Sequence, residues 1–397
     1  MQNFEAIRPY RDDEVPGVIR ALSQDPDLLR AAAIFFAPNL ATWFPWLARR
    51  LTQRFISMRT RHLKTVEDVQ LWLARYMKRV VRDSIASLTV EGLENLTPGR
   101  PYLFISNHRD IVMDSGLVSY ALHQAGHATV RSAVGDNLLS QPYAADLMRL
   151  NKSFVVERSV TGTKAVFQSL SRTSAYIRHS LEEGVSVWIA QREGRAKDGF
   201  DRTERALLKM LALAYRKEIS RFGDLLDRIA LIPVSVSYEL DPCDRRKAHE
   251  LCAKARFGRY VKPEGEDLQS MVDGIIGYKG RVHLVFGQRL TGDFEDADGV
   301  AAALDKAIVG GMQVFPTHVE AAERLGLREF QAGPVAVPSP LPRVTALFRG
   351  RIETCPADEL PYLLLSYANL LRNREELLTE VTPTAAGRPE PPAALAD

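Results

Sequence analysis

Two regimes of hydrophobic patterning divide the chain. Over roughly the first 86 residues, apolar positions recur at helical spacing. Val69, Trp72, Leu73, Tyr76 and Val80 form one face, with Arg75, Lys78, Arg79 and Arg82 between them, which predicts a basic amphipathic helix. Near Ser87 the pattern changes, and short apolar runs begin to alternate with helical stretches. Residues 88–90, 102–106, 128–130, 153–156, 185–190, 229–238 and 282–286 read as strands, and 114–123, 164–183 and 203–222 as helices. Such alternation predicts an α/β fold, a mostly parallel central sheet flanked by helices. After about Gly299 the pattern turns helical again, with Leu363, Leu364, Tyr367, Leu370 and Leu371 on one face and Gly310-Gly311 read as a turn. The expected organisation is a helical, basic segment over 1–86, an α/β catalytic domain over 87–299 and a helical segment over 300–381. A proline- and alanine-rich tail over 382–397 is expected to be disordered.

Composition changes this picture only locally. The 397 residues are 46% apolar and 25% charged with a net charge of +3, an ordinary globular balance that names no partner. Between Arg49 and Arg82, however, ten Lys/Arg stand against Glu67 and Asp68, a local net of +8 suited to an anionic membrane surface or nucleic acid. The basic block lacks stacking aromatics in a strand context, so nucleic acid is not expected as a partner. Residues 31–48 carry no charge but contain Pro38 and Pro45, together with Phe35, Phe36, Trp43, Phe44 and Trp46. Two prolines break a helix interior and such aromatics favour the bilayer interface. A broken interfacial element is expected rather than a span, and an aromatic-rich core helix is the competing reading. Cys243, Cys252 and Cys355 are odd in number and lack metal-ligand spacing, which fits a reducing compartment. The acidic N-terminus (Asp12, Asp13, Glu14) gives no reason to expect a secretory signal.

The chemistry concentrates at predicted strand ends. The run 102–106 leads into Asn107-His108-Arg109-Asp110-Ile111-Val112-Met113-Asp114. A histidine there, with carboxylates two and six residues on, suits a general base with an orienting acid. The plain alternative is a polar turn with Asp110 as helix N-cap. Farther on, Lys152 and Arg158 flank a short strand. A charged loop, Gln191-Arg192-Glu193-Gly194-Arg195, follows another, and an Ile232-Pro233-Val234 strand comes later. Ligands of open α/β sheets bind beyond the carboxyl ends of the strands, and arginine forks suit phosphate.

In this order the blocks resemble the glycerophospholipid acyltransferase family, especially bacterial 1-acylglycerol-3-phosphate acyltransferases, over roughly residues 88–240. The resemblance implies that His108 deprotonates an acceptor hydroxyl, which then attacks an acyl thioester, while an aspartate holds the imidazole. It further implies that Lys152, Arg158 and Arg195 hold a glycerol phosphate, with Glu193 and Gly194 shaping the loop. Two departures stand out. The family spaces His and Asp with four residues between them, but that place is Met113 here and Asp114 is one further on, so Asp114 and Asp110 both compete for the orienting role. No residue separates Gly194 from Arg195, so either Arg192 or Arg195 meets phosphate.

The implied enzyme is an O-acyltransferase on the cytoplasmic face of the membrane. It takes acyl-CoA or acyl-carrier protein as donor and a lysophosphatidate as acceptor, with no cofactor. Glycerol 3-phosphate and a lyso-ornithine lipid are alternative acceptors, and a non-catalytic basic binding module is the alternative of another class. No Gly-x-Ser-x-Gly, P-loop or dinucleotide motif is present. His123 and His127 have helical metal-pair spacing but no third ligand nearby in sequence, so no metal site is expected. Asp198, Asp201, Arg202 and Thr203 are expected to cap the helix before Ala206 rather than join the site.

Overall fold

The computed structural model describes residues 3–139, 141–327 and 336–378; the expected tail over 382–397 lies outside them. Its helices are α1 (Val15–Leu22), α2 (Pro26–Phe36), α3 (Pro38–Trp43), α4 (Pro45–Thr60), α5 (Val66–Ser84), α6 (Met113–Gln124), α7 (Pro142–Leu150) and α8 (Thr163–Glu182). Then follow α9 (Arg205–Ala212), α10 (Phe222–Ile229), α11 (Asp244–Phe257), α12 (Glu266–Ile276), α13 (Ala297–Gly311), α14 (Pro316–Arg324), α15 (Pro342–Glu353) and α16 (Leu360–Leu378). The strands are β1 (Ser87–Glu91), β2 (Leu103–Ser106), β3 (Arg131–Gly135), β4 (Ser153–Val156), β5 (Val187–Ala190), β6 (Leu231–Tyr238) and β7 (Arg281–Phe286). The chain divides into two compact units, Met1–Met77 with Val130–Tyr176, and Lys78–Thr129 with the rest.

In the first unit the prolines of the uncharged stretch do what their chemistry dictates. Pro26, Pro38 and Pro45 each open a helix, where the missing N–H costs nothing because the first turn has no partner for it. Residues 31–48 are thus broken among α2, α3 and α4, and no described helix is long and apolar enough to cross a membrane. Trp43 is 78% exposed and Trp46 64%, with Phe44, Leu51, Phe55 and Met58 also exposed, so this is not a core helix. The apolar face of α5 is inward: Val69 joins Val15, Leu22, Leu63, Tyr143 and Leu150 in one cluster, with Trp72 and Leu73 against it. β3 and β4 pair in parallel, Ser132 opposite Ser153.

The second unit is built on strands in the order β1–β7–β6–β2–β5. All pairs are parallel except β6–β7, so the fold is α/β with a mostly parallel sheet. β6 is buried along its whole length, as expected of a strand covered on both faces. Beyond it Leu240, Val309, Val314, Phe348, Leu363, Leu364 and Tyr367 pack the helices α13 to α16 together.

Three local expectations differ from what is observed. The strand expected at 128–130 starts at Arg131. Gly126, at φ 79°, and a His127 N–H to Leu122 carbonyl bond of 2.8 Å close α6 first, so the chain spends 127–130 leaving the helix. The single helix expected over 203–222 stops at Ala212 as α9, and a new helix, α10, starts only at Phe222, with Asp224 accepting from the Ser220 and Arg221 N–H groups at that start. Gly310 and Gly311 end α13 instead of forming a turn. A Cβ on Gly311 would lie 2.6 Å from Ser235 Oγ, so glycine there permits close packing on β6.

Candidate active site

The site begins where β2 ends. Ser106 pairs with Ala190 of β5 on one side and Val234 of β6 on the other. Asn107, fully buried, then extends the pairing with its side chain. Its amide donates to the Val236 carbonyl at 2.9 Å and accepts from the Val236 N–H at 2.8 Å. That fixes the next residue, His108, at the strand end with its side chain 15% exposed and its ring 6.0 Å edge-on from Trp188.

His108 Nδ1 lies 2.9 Å from Asp114 Oδ2. The same oxygen accepts from the backbone N–H groups of Arg109 at 2.7 Å and Asp110 at 2.9 Å, and Oδ1 accepts from the Tyr238 hydroxyl at 2.7 Å. A fully buried carboxylate with this donor set is an acceptor, so Nδ1 carries the hydrogen and Nε2 is left with its lone pair.

Asp110 turns the other way. Its Oδ1 accepts from the N–H groups of Val112 and Met113 at 2.9 and 2.8 Å, closing the turn into α6. Burial, reinforced by the neighbouring Asp114 charge, raises its pKa. It packs so tightly under α12 that a Cβ on Gly274 would lie 2.2 Å from Oδ2. The capped turn absorbs the extra residue of the His–Asp spacing: Met113 enters the core, 0% exposed, and Asp114 comes round to the imidazole.

The loop after β5 folds back over this turn. Gln191 N–H bonds the Ser106 carbonyl and Ala196 N–H the His108 carbonyl, each at 2.8 Å, with Gly194 at φ 71° making the reversal. Arg195 is therefore next in sequence to a residue bonded to His108. It is half-buried, and its charge acts on Asp241 below the turn. Arg192 is half-buried with its Nε lacking a partner. The Glu193 side chain is exposed, and its N–H bonds Glu204 Oε2 at 3.1 Å. Lys152 and Arg158 belong to the first unit. Lys152 sits before β4 at φ 59°, its pKa lowered by burial and then by the charge of Arg131; Arg158 follows β4 and is exposed.

The turn rests on a buried polar layer that sequence reasoning missed or misread. Arg109 pairs with Asp201 and also bonds the Gly199 carbonyl, and Lys247 holds the Arg109 carbonyl at 2.6 Å while pairing with Asp241. Burial opposes the charge on Asp241, but Lys247, the Cys243 N–H and the Arg195 charge together outweigh it and the carboxyl stays below its usual value. Asp201 does not cap α9, and neither does Thr203, which bonds Asp305 instead. Asp198 accepts from Phe200 N–H, and Arg202 pairs with Glu376. Cys243 is buried and its thiol is pushed up to about 12, chiefly by burial, which leaves it unreactive.

Residues 87–237 match the acyltransferase family model. This segment is an acyltransferase domain. The match includes His108, Asp114, the 191–195 loop and nearly all of β6. Among solved structures, the 1-acyl-sn-glycerophosphate acyltransferase PlsC from Thermotoga maritima is similar at 15% identity and a TM-score of 0.37, covering 76% of this chain and 96% of that one. No curated protein matches.

Proposed function

We propose that the acyltransferase domain transfers a fatty acyl group from an acyl thioester to the hydroxyl of a lysophosphatidate, with His108 as general base. The observation that carries this reading is the His108–Asp114 pair at the end of β2, which leaves Nε2 open. Nε2 takes the acceptor hydroxyl proton as its oxygen attacks the thioester carbonyl. A C–O bond forms, the C–S bond breaks, and the thiolate leaves as CoA or the carrier thiol after protonation. Asp114 stabilises the imidazolium formed on the way. Arg195 and Arg192, half-buried beside this turn, are the groups that meet the acceptor phosphate. The exposed Trp43, Phe44 and Trp46 next to Arg49, Arg50 and Arg54 suit peripheral attachment to an anionic membrane, where such an acceptor resides.

The test follows acceptor-dependent thiol release from acyl-CoA and acyl-carrier protein, with lysophosphatidate, glycerol 3-phosphate or a lyso-ornithine lipid. Lysophosphatidate is expected to give the highest kcat/KM, and His108→Ala to lower it about 10²- to 10⁴-fold. Absence of acceptor-dependent release with either donor overturns the reading. A faster reaction with glycerol 3-phosphate or the ornithine lipid reassigns the acceptor.

A further inference from the structure

Tyr238 stands 124 positions from Asp114 in sequence, yet its hydroxyl lies 2.7 Å from the Asp114 oxygen that does not face His108. We propose that Tyr238 is a positioning residue for this reaction, setting the orientation and basicity of the His108–Asp114 pair, and that α14 holds it in place. This rests on the reading of His108 as base.

The geometry leaves Asp114 little freedom. Oδ2 is held by three donors, but two of these are backbone groups of the same turn and leave rotation of the carboxylate about its axis to the Oδ1 contact. Tyr238 supplies that contact from a different element, the last residue of β6. It is 7% exposed and Asp114 is 0% exposed, so water cannot substitute freely for the phenol. Burial first, and then the Asp114 charge, hold the Tyr238 phenol well above its ordinary value of 10, which keeps it a donor. The other charged groups facing it are Asp110 on the turn and Asp241 beyond the strand. Arg109, Asp241, His318 of α14 and Tyr367 of α16 share with it the lining of a small cavity.

Tyr238 is itself fixed from behind. His318 bonds the Tyr238 backbone and takes the Phe315 N–H on Nδ1 at 3.0 Å. The adjacent Thr317 hydroxyl donates to the Glu239 carbonyl at 2.7 Å. The start of α14 thereby grips the two residues at the exit of β6, which gives the C-terminal helices a part in aligning the base.

The phenol withdraws charge from Asp114. Without it the carboxylate faces His108 with a stronger field and favours the imidazolium. Tyr238→Phe is therefore expected to lower kcat/KM about 10- to 100-fold and to move the acid limb of its pH profile to higher pH. In an Asp114→Asn background the same change should cost less than about 3-fold, because the two residues act through one contact. A site-specific 3-fluorotyrosine at position 238 keeps the shape, strengthens the donor and should move the limb to lower pH, so the inference is testable even if the phenylalanine variant fails to fold. Limbs that stay in place in every folded variant, or losses that add fully with Asp114→Asn, overturn it. Wild-type activity in His108→Ala overturns the base assignment instead, a distinct outcome.

Discussion

At the residue scale the two carboxylates after His108 separate cleanly by what they touch. Asp114 accepts from the imidazole and from two backbone N–H groups, whereas Asp110 closes the turn into α6 and meets α12. Asparagine at 114 would present an amide that cannot take charge from an imidazolium. Asparagine at 110 retains an oxygen for the bonds from the Val112 and Met113 N–H groups, and Asn closes such turns as well as Asp. The expected outcome is a loss in kcat of about 10²-fold or more for Asp114→Asn and less than about 5-fold for Asp110→Asn, measured by thiol release at saturating substrates. A larger loss at Asp110 would reverse the assignment. The residues themselves were legible in the sequence. The choice between them was not, because it depends on a turn whose cap and whose roof, Gly274, lie in different parts of the chain.

At the scale of elements, helix starts and strand ends follow from local chemistry. Prolines opened three of the first four helices where the sequence places them, and β4 spans the run 153–156 read from its apolar pattern. The amphipathic face of α5 was open between a membrane and a protein core, and packing resolves it: Val69 and Trp72 are in the cluster with α1 and α7. The surface that suits the proposed membrane attachment is then α3 and α4, with Trp43, Phe44, Trp46, Leu51, Phe55 and Met58 exposed. Trp43→Glu with Trp46→Glu is expected to reduce co-sedimentation with anionic vesicles severalfold and to lower turnover of vesicle-embedded acceptor, while turnover of a micellar acceptor is unchanged. Wild-type binding should also weaken with added salt. Binding indifferent to the substitutions, to lipid charge and to salt would discard this surface.

At the scale of the molecule, buried polar contacts join the C-terminal helices to the acyltransferase domain. His318 is the clearest gauge of them. Burial, and then the charge of Arg109, depress its pKa from 6.5 to about 3, so it is neutral when folded. The unfolded chain takes up a proton near 6.5 and the folded chain does not, so stability is complete above that pH and falls as pH drops from 6.5 toward 3. The slope is up to about 1.4 kcal/mol per pH unit. His318→Gln removes that titration, so its Tm should fall less than that of wild type between pH 6.5 and 5; equal slopes would show that His318 is not buried neutral. The sequence by itself determined the α/β class, the position of His108 at a strand end and the acyltransferase-like order of blocks, because these depend on residue periodicity and on neighbours a few positions apart. The tertiary structure alone decided which aspartate meets His108, that Tyr238 completes its hydrogen bonding, and that Asp201 serves Arg109 rather than a helix cap. The Tyr238–Asp114 and Arg109–Asp201 contacts close long loops in the chain, and the short His108–Asp114 contact depends on a turn packed against Gly274 of α12, so tertiary packing and not local sequence sets all three.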